Sequence, residues 1–129
     1  MKPPKTRCGG LWTEARMASF IKSALRGASN RWAPKHNARK AARIARNRYS
    51  CSLCHHIVGN KDIAIDHIKP VVDPIRGFVS WDEYIQRLFC EADGFRAICK
   101  DCHDKVTANQ REIRSAHKKP RAHSSPLPL

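Results

Sequence analysis

Four of the six cysteines fall into two pairs, Cys51-x-x-Cys54 and Cys99-x-x-Cys102. A gap of two residues lets both thiolates of a pair reach one tetrahedral ion, and two such knuckles complete a four-sulfur zinc site. The 44 residues between Cys54 and Cys99 exceed the common ribbon spacing, so the expectation of zinc comes from the pairs themselves. A redox CxxC and ordinary buried thiols are the alternative readings. Zinc binding contributes on the order of 10 kcal/mol to folding, which suits a chain short of core.

A second constellation is Asp66-His67 together with His103, one residue after the last cysteine. If the knuckles meet, His103 is brought near Asp66 and His67. A carboxylate and an imidazole can share a hard or borderline divalent ion, leaving positions for water and phosphate. A neighbouring imidazole outside the coordination shell titrates near working pH and can deprotonate a water. Taken alone, an Asp-His pair reads equally as a hydrogen-bonded structural contact.

The chain that must position these groups has 129 residues, 25 Lys+Arg against 11 Asp+Glu, and a formal charge of +14. That length suits one domain, and an apolar share of 41% is lean for a self-sufficient core. The basic excess is the footprint of a polyanion-binding protein, with nucleic acid the expected partner. A basic protein without a dedicated partner, or one that binds anionic lipid, is the alternative. No run approaches the roughly 18 to 20 apolar residues that cross a bilayer, so no membrane role is expected. The start, MKPPKTRCGG, lacks the apolar stretch of a secretory signal. The expected location is therefore intracellular, where unpaired cysteines favour metal over disulfides.

Residues 1–10 read as a flexible N-terminal tail, and 11–48 as a basic helical region. Thr13 is a plausible N-cap for a helix ending near Gly27, with Met17, Phe20, Ile21, Ala24 and Leu25 on one face. A second helix is expected from about Pro34 to Arg48. It carries Lys35, Arg39, Lys40, Arg43, Arg46 and Arg48 as candidate phosphate contacts. Between Glu14 and Asp62 there are eleven Lys or Arg and no acidic residue. Residues 49–67 read as a hairpin with its tip near Gly59 and Asp66-His67 closing the second strand. Ser80 caps a helix from Trp81 to about Cys90, with Cys90 in the core. A last helix is expected over Asp104–His117, and residues 117–129 read as a disordered tail rich in Pro and Ser.

The order CxxC…DHI-x-P…CxxCH-x-K-x-T over residues 49–109 resembles the HNH nucleases, specifically the zinc-stapled branch common in bacteriophage genomes. The stretch WTEARMASFIKSALR…RWAPK is similar, less distinctively, to the leader of such phage proteins. The resemblance implies an α+β fold with a small ββα-metal core at 49–116, four-cysteine zinc knuckles and flanking helices. It implies a metal-dependent DNA endonuclease leaving 5′-phosphate and 3′-hydroxyl ends. Asp66 and His103 match the ligands of one catalytic divalent ion (Mg²⁺, Mn²⁺, Ni²⁺ or Zn²⁺), and His67 matches the general base. Cys51, Cys54, Cys99 and Cys102 match the structural zinc ligands, and Lys105 is a further candidate phosphate contact. Thr107 stands where some relatives have another metal ligand. The implied partner is double-stranded DNA, with phage packaging or replication proteins as candidate associates and the cytoplasm of a bacterial host as location. One position departs from the pattern: Gly94 replaces the family's middle Asn, which orients the base. This keeps a non-catalytic zinc-stapled DNA-binding accessory protein as the second reading, and an RNA-binding zinc protein as a third.

Overall fold

The computed structural model describes residues 2–117 and is mixed α+β, with four helices and two small antiparallel sheets. The expected tail beyond residue 117 lies outside the described residues. Helix α1 spans Glu14–Ser29 and starts as its cap dictates, Thr13 Oγ1 accepting from the Arg16 N–H at 3.1 Å. Upstream, Thr6 and the Arg7 guanidinium both bond the Glu14 carboxylate, folding residues 6–12 back onto the helix start. The helix runs past Gly27 and ends at Asn30, and Ser29 is buried where the chain turns.

Helix α2, Ala33–Ala42, has Pro34 in its first turn, where a missing N–H costs nothing. Trp32 fastens this junction to the far side of the molecule: its indole N–H donates to the Cys90 carbonyl at 2.6 Å, and its ring meets Phe89 edge-on at 5.5 Å. The expected extension of this helix to Arg48 does not occur. The chain instead forms strand β1, Arg43–Ala45, turns at Arg46-Asn47, and returns as β2, Arg48–Ser50. A continued helix would stack Lys35, Arg39 and Arg43 at i, i+4 spacing with no acid to relieve them. Asn47 takes the left-handed conformation (φ 57°) that the turn requires, as Asn tolerates better than most residues.

The second correction concerns pairing. Strand β3, Ile57–Val58, does not pair with β4, Ile63–His67; it returns onto β2, giving a sheet ordered β1-β2-β3. The first cysteine knuckle is therefore the loop of the β2–β3 hairpin. Strand β4 pairs with β5, Phe95–Cys99, in the register Ile63↔Cys99, Ile65↔Ala97, Asp66↔Arg96 and His67↔Phe95. Most of β5 is buried, so its backbone needs a complete partner strand, and the five-residue β4 supplies one. The hydrophobic centre is Cys51, Ile98 and Cys99, flanked by Cys54, Val58, Cys102 and Val106.

Helix α3, Trp81–Leu88, is capped by Ser80 Oγ accepting from the Glu83 N–H, and buries Tyr84 and Leu88. Helix α4, Lys100–Ala116, begins four residues earlier than its polar pattern indicates. Its cap is a cysteine: Cys99 Sγ accepts from the Cys102 N–H at 3.5 Å, so the second knuckle is also a helix start.

Between α3 and β5, a Cβ built at Gly94 would lie 2.6 Å from Cys90 Sγ and 3.0 Å from Cys90 Cβ. The same glycine's carbonyl accepts from the Ile68 N–H at 2.9 Å, extending the β4–β5 ladder. Packing against Cys90 thus excludes an Asn side chain here. Gly94→Ala is expected to cost about 1 to 3 kcal/mol, the usual range for overpacking. Thermal or urea melts would show it, with partial recovery in the Gly94→Ala/Cys90→Ala double variant.

Candidate metal centre and the adjoining cavity

The four paired cysteines converge. The sulfurs of Cys51, Cys54, Cys99 and Cys102 all lie within 4.8 Å of one another, with Cys54 Sγ 3.7 Å from Cys99 Sγ. Zn–S bonds of about 2.3 Å in a tetrahedron require S···S edges of about 3.8 Å, so the donor set fits such an ion. The knuckle is braced by backbone bonds: Cys51 N–H to the His56 carbonyl, His55 N–H to the Cys51 carbonyl, and Ser52 N–H to the Ala97 carbonyl of β5. His55 takes a left-handed conformation (φ 64°) to close the loop.

The thiols differ electrostatically. Burial acts to raise Cys51, but N–H groups of Cys54, Cys99 and Leu53 directed at its sulfur outweigh it and bring it down to about 6. Cys102 is pushed up to about 12, first by its sulfur contact with Cys99 and then by burial. Four adjacent sulfurs cannot all ionise without a cation among them. They can hold a metal ion such as zinc, with Cys51 the readiest donor.

Asp66 and His67 close β4 and line a cavity of about 680 Å³. Its walls include Arg26 of α1, Lys35 of α2, Tyr84 and Leu88 of α3, and Gln110 and Arg114 of α4. The His67 ring lies 4.7 Å from the Phe95 ring, and its Nε2 is 2.9 Å from the Leu88 carbonyl oxygen. A carbonyl only accepts, so Nε2 carries a hydrogen, and Nδ1 is the nitrogen left to face other groups. A backbone carbonyl at the end of α3 thus fixes the orientation of the ring. Tyr84 is 2% exposed, and its hydroxyl finds no partner among the described residues.

Asp66 is half-buried and ion-paired. Arg96 Nε and Nη2 each donate to its Oδ2 at 3.1 Å, across the β4–β5 register. Its Oδ1 accepts no hydrogen bond among the described residues. His103 lies half-buried in the first turn of α4, and the wall that α4 gives the cavity comes from Gln110 and Arg114 instead. Among the described residues, the cysteine cluster is the one group of three or more Cys, His, Asp or Glu ligand atoms this close together.

The expected phosphate contacts separate into three sets. Lys35 joins the Asp66-His67 cavity. Arg39 is engaged within the protein, stacked 4.8 Å over Tyr49 and bonded to the Asn60 carbonyl and side chain. Lys40, Arg43, Arg46, Arg48 and Lys105 are exposed, as is Thr107. His36 bonds the Asn30 carbonyl, and His55 and His56 are exposed. Sequence reasoning missed Arg26, Arg114 and Arg96. The first two sit on helices whose packing angle no local pattern encodes, and the third faces Asp66 only through the long-range strand register.

No protein-family model, curated protein or solved structure matches the chain.

Protons compete with the ion for the four thiolates, so metal retention is expected to weaken as the pH is lowered, with Cys51, whose thiol is the most easily ionised, the last donor to protonate. Equilibrium dialysis across pH with metal analysis checks this. Cys51→Ala should release the metal and unfold the chain, whereas Cys90→Ala should keep both.

Proposed function

We propose that this chain is a metal-dependent DNA endonuclease of the HNH type, stapled by zinc at Cys51, Cys54, Cys99 and Cys102. The observation that carries the reading is the Asp66-His67 pair at the end of β4. It lines a cavity whose walls carry the cations Arg26, Lys35 and Arg114, and its imidazole is oriented by the Leu88 carbonyl. Three cations around one carboxylate and one imidazole suit a phosphodiester better than a neutral substrate.

In this mechanism Arg26, Lys35 and Arg114 hold the phosphates of the strand. His67, with Nε2 tied to Leu88, takes a proton from water at Nδ1 and so generates the attacking hydroxide. Asp66 through Oδ1 and His103 would hold the divalent ion, which supplies charge neutralisation at the phosphate and at the departing 3′ oxygen. Arg96 fixes the Asp66 carboxylate through Oδ2 and keeps Oδ1 turned away from itself. Attack in line then leaves a 5′-phosphate and a 3′-hydroxyl.

The Asp66–Arg96 ion pair also favours a second reading, because a carboxylate already neutralised by a guanidinium attracts a cation less strongly. On that reading the chain is a non-catalytic zinc-stapled DNA-binding protein.

Plasmid cleavage with Mg²⁺, Mn²⁺ or Ni²⁺ separates the two. The nuclease cuts, and His67→Ala lowers the rate by about 10²- to 10⁴-fold, the usual contribution of a general base, with zinc content and DNA affinity retained. Wild type and variant that bind DNA equally and both fail to cut would establish the second reading.

A further inference from the structure

We infer that the β1–β2 ribbon, residues 43–50, is a base-reading element that enters the major groove of duplex DNA. The inference rests on the reading of the chain as a duplex-DNA-binding protein, and adds to it where sequence preference would reside. Residues 43–48, Arg-Ile-Ala-Arg-Asn-Arg, are all exposed and contain three arginines and neither a lysine nor an acid. Phosphates accept lysine and arginine alike, whereas the edge of guanine presents two acceptors that match the arginine fork.

Ile44 gives the second indication. It is 58% exposed and lies between Arg43 and Ala45 on an open edge strand. An isoleucine held in water among arginines does nothing for phosphate contact, but it suits the thymine methyl group in the major groove.

Shape selects the groove. β3 pairs with the far side of β2 at Tyr49 and Ser50, which leaves β1 as the free edge of the sheet, and an edge presented this way enters a groove about 12 Å wide and not one of about 6 Å.

The ribbon is also braced before any partner arrives. Asn47 Oδ1 at its turn accepts from the Asn60 N–H at 2.8 Å, and Gly59 lies beside the same side chain, with room for an added Cβ in ordinary contact at 3.4 Å from that oxygen. Arg39 ties the same loop to α2 and covers Tyr49 of β2. A hairpin held at its tip by an amide and at its base by a stacked guanidinium loses little freedom on docking.

The experiment uses the full-length, metal-loaded protein. Preferred sites are selected from a random duplex library, then tested by methylation interference at guanine N7. Arg43→Lys, Arg46→Lys and Arg48→Lys keep the charge and lose the fork. At least one of them should lower affinity for the selected site by about 5- to 150-fold, abolish interference at a guanine, and leave binding to unselected DNA unchanged. Lys40→Ala, a phosphate contact on α2, should instead weaken all sequences alike and reduce the salt slope by about one. Selection that yields no preferred site, or three Arg→Lys variants indistinguishable from wild type on it, overturns the inference. Selective binding without plasmid cleavage supports the ribbon and removes only the nuclease reading. Absence of duplex binding overturns both.

Discussion

The rest of the fold is arranged around the convergence of four sulfurs within 4.8 Å of one another. Cys51 and Cys99 stand with Ile98 at the centre of the small core, and Cys54 and Cys102 pack against it, where hydrophobic chains of ordinary size would otherwise stand. Thiols this close can share a cation, and such an ion would join two segments far apart in sequence. One is the loop between β2 and β3; the other is the junction between β5 and α4. Strands of two to five residues cannot order themselves, and with only a handful of fully buried side chains the apolar effect alone is thin. Closing the four-sulfur site sets the position of β5, and β5 sets the register of β4.

Site geometry follows from that register. Asp66 opposes Arg96 and His67 opposes Phe95, so the ion pair and the ring contact are both consequences of one ladder. The Leu88 carbonyl then orients His67 from the end of α3, and Trp32 anchors that end of α3 to the α1–α2 junction through the Cys90 carbonyl. Cys90 fills the space that a larger residue at position 94 would need. The imidazole is therefore oriented by a backbone carbonyl rather than by a side chain.

Much of this was legible in the residues. The two CxxC pairs indicated one site and the structure brings them together, while Thr13 and Ser80 cap their helices as read. The readings that failed share a cause. Ala-rich basic sequence at 38–48 has helical propensity, yet repulsion among unrelieved cations and the turn at Arg46-Asn47 convert its second half into a ribbon. The hairpin expected at 57–67 looked local because Gly59-Asn60 is a turn signal, but the knuckle draws β3 back onto β2 and leaves β4 for a strand some thirty residues on. Arg96 could not be recognised as the partner of Asp66 without that pairing. Nor could Arg26 and Arg114 be placed at the cavity without the angles at which α1 and α4 cross the sheet.

The most direct measurement is a cobalt(II) titration of the reduced, metal-free chain, following thiolate-to-cobalt charge transfer and far-ultraviolet circular dichroism together. The account predicts that both signals rise in step and saturate at a single ion per chain, with a spectrum typical of four sulfurs in a tetrahedron. A chain already fully folded before any ion is added, or saturation with fewer than four sulfurs bound, would contradict it.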